Sequence, residues 1–258
     1  MPTYTTPDGV RLNYEESGEG APPLIMIHGL CSNLKHWDPQ ARKFGRSHKI
    51  LRVDLRGHGA SDAPKSGYSI RQMADDVAAL ARSRRIRNAV VMGHSMGGAV
   101  ALEFARRNPD VAKALVMLDA PTGLGGMSAA DAKQSPLVAA LGGPGWPAPA
   151  EQFYARFFTN ARDKKLAAKV CKDAGRTPQH GAVGATQALL TYKMTPAAKA
   201  VKQPTLFVAA AQGNARWDTL RELMPQVQFA RVVGAGHFLQ LEAPDQTNAM
   251  IEEFLLRL

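Results

Sequence analysis

The chain has 258 residues, a hydrophobic fraction of 45% and a formal net charge of +10, enough for one full domain with a sizeable core and a modest insertion. No apolar run approaches the roughly 18 residues that cross a bilayer, and the first 18 residues carry neither a basic start nor an apolar export core, so the cytoplasm is the expected compartment. The basic clusters at 82–87 and 164–172 lack interleaved aromatics or a binding module. They argue for solvated helix faces and against a nucleic-acid partner.

From the N-terminus, residues 2–6 and 10–16 flank Asp8-Gly9 and read as a hairpin. The continuous apolar run 24–27 marks a strand buried on both faces. It opens into His28-Gly29-Leu30-Cys31-Ser32-Asn33, a loop rich in candidate site residues. A helix is expected over 34–44 and a strand over 49–53. Residues 54–62, DLRGHGASD, form a glycine-rich turn with too many charges for a core, and they lack the Gly-Lys-Ser/Thr ending and the G-x-G-x-x-G spacing of nucleotide-binding loops.

From Ser69 the pattern is helical, with Ile70, Met73, Val77 and Leu80 on one face and Asp75, Asp76, Arg82 and Arg84 elsewhere. Residues 88–92 form a strand leading into Gly93-His94-Ser95-Met96-Gly97, after which small and apolar residues recur at helical spacing through Phe104 and Ala105. This strand, turn and helix fit a nucleophilic Ser95: glycines at 93 and 97 allow the sharp reversal, and the N–H groups opening the helix face the place where negative charge would develop. A further strand, 111–118, ends at Asp119.

Composition changes at Ala120. Residues 120–150 are rich in Gly, Pro, Ala and Ser, and amphipathic segments follow at 151–173 and 179–193, with Trp146, Phe153, Phe157 and Phe158 suggesting a partly apolar pocket. So long a segment is not an ordinary connection. It divides the chain into a first core part (1–120), a helical lid (121–198) and a second core part (199–258). Strand 205–209, a helix over 217–224, strand 229–233 and a C-terminal helix from 245 complete the pattern. Strands alternating with helices predict an α/β fold with a mostly parallel, doubly wound sheet, and functional residues at the strands' carboxyl ends.

A serine hydroxyl needs a base, and an imidazole is the usual one. His237, in the Gly234-Ala235-Gly236-His237 loop after a strand and late in the chain, is the best placed of seven histidines. Cys31 and Cys171 fall in no metal-ligand pattern and are expected as free thiols. No metal or cofactor is expected.

Together the 93–97 elbow, His28-Gly29, the 54–62 turn and the 234–237 loop resemble the α/β-hydrolase superfamily, specifically its small cofactor-free serine esterases and related C-C hydrolases. The resemblance spans about 8–119 and 200–258. It implies that Leu30 and Met96 supply the two N–H groups of an oxyanion hole, that His28 and Asp54 shape loops, and that His94 supports the elbow. The third triad member departs from the common pattern, because the acid expected after strand 205–209 is replaced by Gly213. Some branches place the acid after the strand that follows the nucleophile helix, where this chain has Asp119. Asp218 and an incomplete triad are the alternatives to it.

The expected activity is hydrolysis of a small carboxylic ester or lactone through an acyl-enzyme intermediate. C-C bond hydrolysis of a diketone, a perhydrolase-like reaction, and a ligand receptor without turnover are the rival readings. A serine at 95 argues against dehalogenase or epoxide hydrolase chemistry, which uses an aspartate there.

Overall fold

A computed structural model of the chain describes residues 2–123, 125–158, 164–211 and 216–258. The N-terminal hairpin consists of β1 (Thr3–Thr5) and β2 (Arg11–Ser17), followed by β3 (Leu24–Ile27). The segment expected as one helix is a 3-10 turn (Leu34–Trp37) running into α1 (Asp38–Phe44), with a proline at the second position of α1 where the change occurs. Next come β4 (Ile50–Val53), α2 (Ile70–Ser83), β5 (Ala89–His94), α3 (Met96–Arg107) and β6 (Ala112–Leu118). Helices α4 (Ala129–Lys133), α5 (Pro136–Gly142), α6 (Ala148–Ala155), α7 (Lys164–Gly175), α8 (Gln179–Thr191) and α9 (Met194–Ala200) lie between β6 and β7 (Thr205–Ala209). The chain closes with α10 (Trp217–Leu223), β8 (Val227–Arg231), α11 (Leu239–Glu242) and α12 (Pro244–Leu255).

The eight strands form one sheet in the order β1-β2-β4-β3-β5-β6-β7-β8. The hairpin strands pair antiparallel, β2 also pairs antiparallel with β4, and every later pairing is parallel. Alternate residues of the central strands enter two separate apolar layers. Ile25, Ile27, Val91, Leu115 and Phe207 join α2, α3 and the inserted helices on one face. Leu24, Met26, Val90, Val116 and Leu206 join Trp37, Phe44, Ile251 and Phe254 on the other. Covering on both faces explains why these strands read as unbroken apolar runs, since neither side of the pleat meets water.

Helix α2 begins where its cap predicts: the Ser69 hydroxyl accepts the Gln72 N–H at 3.0 Å, satisfying one orphan donor of the first turn. Its face differs from expectation at Asp76, which is buried with Arg56, the Arg56 Nε–Asp76 Oδ2 distance being 2.6 Å.

That pair belongs to a larger correction. The 54–62 turn is not a solvated charge cluster, because Asp54, Arg56 and His58 are all buried. Asp54 and Arg56 are paired within the fold, whereas His58 donates from Nδ1 to Arg56 O at 3.0 Å and its Nε2 has no partner among the described residues. Asp54 accepts from Asn13 Nδ2 and from the Leu34 and Ala60 N–H groups. Arg56 binds both Asp76 and Asp8. Pairing makes burial of charge tolerable, and removing one partner of such a pair costs about 3–5 kcal/mol. His28 acts in the same way. Its Nδ1–H donates to Gly29 O at 2.7 Å while Nε2 accepts the Leu55 N–H at 3.0 Å, tying the loop after β3 to the loop after β4.

Strand β8 is also displaced from its predicted span, starting two residues earlier and ending at Arg231. Its ladder runs from Thr205↔Val227 to Ala209↔Arg231 and stops where β7 stops. Val233, which suggested the longer strand, is 77% exposed.

Candidate active site

Strand β5 delivers Ser95 into a turn with φ 51° and ψ −123°, a backbone region that non-glycine residues rarely adopt. The turn is pinned on both sides. Ser95 N–H donates to Leu118 O of the neighbouring β6 at 2.9 Å, and Gly98 N–H donates back to Ser95 O at 2.8 Å. The reversal requires bare backbone nearby: a Cβ on Gly93 would lie 2.1 Å from Gly97 O, and one on Gly97 would lie 2.3 Å from Ile27 O. From Ala89 to Ala105 every residue except Ser95 is buried. The fold therefore raises this one hydroxyl out of an otherwise closed strand and helix.

The loop after β3 lies against the elbow. A Cβ on Gly29 would come within 3.2 Å of Ser95 Cβ. Leu30 follows, and Met96 opens α3 beside the serine. Neither the Leu30 nor the Met96 backbone N–H donates to any of the described residues. At Met96 this is the normal state of a helix start, whose first donors have no partner within the helix.

His237 leaves the loop after β8 and meets Asp119, the residue that follows β6. His237 Nδ1 and Asp119 Oδ2 are 2.7 Å apart, with side chains 17% and 16% exposed. The other oxygen, Asp119 Oδ1, accepts the Ala210 N–H at 3.0 Å, and the Asp119 N–H donates to Val208 O. An ionised carboxylate only accepts hydrogen bonds, so these contacts put a proton on Nδ1 and leave Nε2 unprotonated in the neutral ring. Asp119 sits at φ 40°, which Asp and Asn tolerate best among residues with a Cβ. Asp218, the alternative acid, is exposed in the first turn of α10 and makes no bond to His237. Position 213, where the usual acid is replaced by glycine, lies outside the described residues.

Three further side chains hold the histidine. His94 Nε2–H donates to the His237 carbonyl at 2.8 Å, and the two rings lie 4.7 Å apart. Burial, then the nearby His237, keeps the His94 ring well below the ordinary imidazole range, so it is neutral. The sequence placed His94 in support of the elbow, and it braces the histidine loop as well. Glu242 accepts the Gly236 and Phe238 N–H groups, each at 3.1 Å, bracketing His237. Its carboxyl is raised by burial. Glu242 was not singled out from sequence, although an acid four residues beyond the residue preceding α11 resembles the reach-back of a capping box. Phe157, just after α6, lays its ring 4.5 Å from the His237 ring, while Phe158 stacks on Phe238. Cys31 and Cys171 are both free.

A family model described as alpha/beta hydrolase fold matches residues 22–244. The chain belongs to the α/β hydrolase fold family. This α/β hydrolase is 28% identical over 259 residues to a 2-(acetamidomethylene)succinate hydrolase of Mesorhizobium japonicum, a match covering 95% of this chain and 92% of that protein. Several other curated relatives match over less than half of their own length. Among solved structures, it superimposes on the enol-lactonase of Burkholderia xenovorans with TM-score 0.89 and 24% identity, covering 99% of this chain and all of the other (100%). An N-acyl homoserine lactone degrading enzyme matches with TM-score 0.82 and 27% identity, covering 98% and 100% of the two chains. Within the family, the α/β hydrolase is thus similar to esterases and lactonases.

Proposed function

We propose that this chain is a serine hydrolase that cleaves a carboxylic ester or a lactone through an acyl-enzyme intermediate. The observation that carries the reading is the 2.7 Å contact between Asp119 and His237 Nδ1, formed beside a strained turn that exposes a single serine. In this reading Asp119 fixes the tautomer of His237, whose Nε2 takes the Ser95 hydroxyl proton as the oxygen attacks the acyl carbon. The Leu30 and Met96 N–H groups, without partners among the described residues, receive the negative charge that develops on the carbonyl oxygen. Protonated His237 then gives its proton to the departing alkoxide, and the same nitrogen activates the water that releases the acid. In a lactone the alkoxide stays tethered, and the first step opens the ring.

The relatives support acyl chemistry of this kind, since their names describe hydrolysis of an acetamidomethylene succinate and degradation of lactones. The Phe157 and Phe158 rings beside His237 and Phe238 favour an acyl group with an apolar face over a sugar. The Asp119 contact with His237 supplies an orienting carboxylate, which favours turnover over the rival reading of a receptor.

Covalent capture tests the proposal. A fluorophosphonate should label the folded protein at Ser95, and labelling should disappear in Ser95→Ala. No adduct at Ser95 in folded protein overturns the reading. A panel of aryl esters, aliphatic esters, lactones and diketones then separates ester or lactone hydrolysis from C-C bond cleavage.

A further inference from the structure

Helix α6 of the insertion carries Tyr154, 4% exposed, and its hydroxyl donates to the carbonyl oxygen of Leu30. Leu30 is the residue whose own N–H faces the elbow in the function proposed above. The next residue, Cys31, is fully buried at φ 46°, a left-handed conformation that a side chain with a Cβ resists. The Cys31 thiol contacts the Tyr154 and Thr177 hydroxyls, and burial pushes the thiol up to about 12, so it is a neutral partner. Leu30 O also accepts from Ser32 Oγ at 3.2 Å, but Ser32 belongs to the same loop and moves with it. Tyr154 is therefore the anchor that reaches this peptide from another element.

We propose that Tyr154 is a positioning residue for the oxyanion hole: by holding Leu30 O it ties the Leu30 backbone to α6, and so fixes the place from which the Leu30 N–H faces the serine elbow. The proposal rests on the serine hydrolase reading. Its physical basis is that the Leu30 N–H and C=O flank one α-carbon, so displacement of the residue carries both. Relaxing the left-handed φ of Cys31 moves Leu30 relative to the rest of the loop, and Tyr154 holds Leu30 from outside that loop. The phenol opposes that movement because without it Leu30 O would keep Ser32 Oγ, a 3.2 Å donor that moves with the loop, in place of a donor held by α6. The hydroxyl remains a donor at every working pH, since burial raises it well above the usual phenol range. The turn that follows α6 places Phe157 against His237, so one short stretch of the insertion touches both the donor loop and the base.

The test is Tyr154→Phe, with and without Cys31→Gly, assayed on a p-nitrophenyl ester. Tyr154→Phe should lower kcat about tenfold, less than complete removal of an oxyanion donor, with KM within twofold of wild type. A glycine at 31 adopts the left-handed turn without strain. In that background the phenol should matter little, and Tyr154→Phe/Cys31→Gly should fold and stay within twofold of Cys31→Gly alone. A kcat for Tyr154→Phe within twofold of wild type overturns the proposal. So does a double variant as impaired, relative to Cys31→Gly, as Tyr154→Phe is relative to wild type. If Tyr154→Phe does not fold, the comparison of the double variant with Cys31→Gly decides alone, and an unfolded double variant counts against the proposal. Fluorophosphonate labelling of wild-type Ser95 keeps the two readings apart. With no adduct, the serine hydrolase reading itself fails; with an adduct and an unaffected Tyr154→Phe, only the role of Tyr154 fails.

Discussion

Replacing Asp119 by asparagine tests the proposed acid most directly, and the backbone suits the experiment. Asparagine accepts φ 40° almost as well as aspartate, so the variant should fold. Asp119 uses one oxygen for His237 Nδ1 and the other for the Ala210 N–H. An amide has only one oxygen. If it stays on Ala210, the NH2 group faces Nδ1 and selects the tautomer protonated on Nε2, which has no lone pair for the serine proton. If it turns to His237, a second donor faces the buried Ala210 N–H. Forcing the productive tautomer thus costs an unsatisfied buried donor, about 1–3 kcal/mol. Losing the charged partner of the imidazolium formed in the transition state costs about 1.5–3 kcal/mol more. At about 1.4 kcal/mol per decade, kcat should fall roughly 10²- to 10⁴-fold. The assay is steady-state turnover of an activated ester, beside a thermal unfolding curve and Asp218→Asn as the reference, which should keep near-normal turnover. A folded Asp119→Asn enzyme within tenfold of wild type would refute the assignment.

Acid stability depends on the buried His28 and His58, both held neutral by burial with values depressed to about 3. Because the unfolded chain takes up these protons near 6.5 and the folded chain does not, stability should fall as pH drops from 6.5 toward 3, by about 1.4 kcal/mol per pH unit for each histidine. Urea midpoints at pH 7 and pH 5 measure the effect, and equal midpoints would contradict it. Gly97→Ala drives a Cβ into the Ile27 and His28 carbonyls of the sheet centre; it should cost about 3 kcal/mol in urea unfolding, whereas Gly123→Ala, with open space around it, should be neutral. Glu242→Gln leaves one of the Gly236 and Phe238 N–H groups without an acceptor and should lower kcat about tenfold with little change in KM; unchanged kcat would show that the histidine loop is fixed without it.

The central strands were legible because burial on both faces writes a continuous apolar run, and the elbow because only glycine fits at 93 and 97. Strand β8 was less so: Val232-Val233 looks like strand, but the ladder to β7 ends at Arg231, where β7 itself ends. Helices α4 and α5 were missed for a related reason. They are short, lie in a Gly- and Pro-rich stretch, and bury little, Ala132 from α4 and Val138 and Leu141 from α5, which leaves little periodicity. The buried charges of 54–62 could not be read, since their partners Asn13 and Asp76 are distant in sequence. Asp119 was reachable by position at a strand end, whereas the contact of Tyr154 with Leu30 depends on how an inserted helix docks and leaves no mark in spacing.

The helices between β6 and β7 interrupt the core without dividing it. Pairing of β6 with β7, the reach of Gln40 to Asn248, and the bonds from Asp119 and His94 to the residue 237 loop all join the two core segments directly. Exchanging these helices for the corresponding segment of a relative is a route to altered substrate range, provided the graft rebuilds the apolar layer that Tyr154, Ala182 and Met194 share with the sheet. Tyr154 sets the design rule for such grafts: a donor module must bring its own hydroxyl to Leu30, or the recipient loop must be rebuilt with glycine at 31.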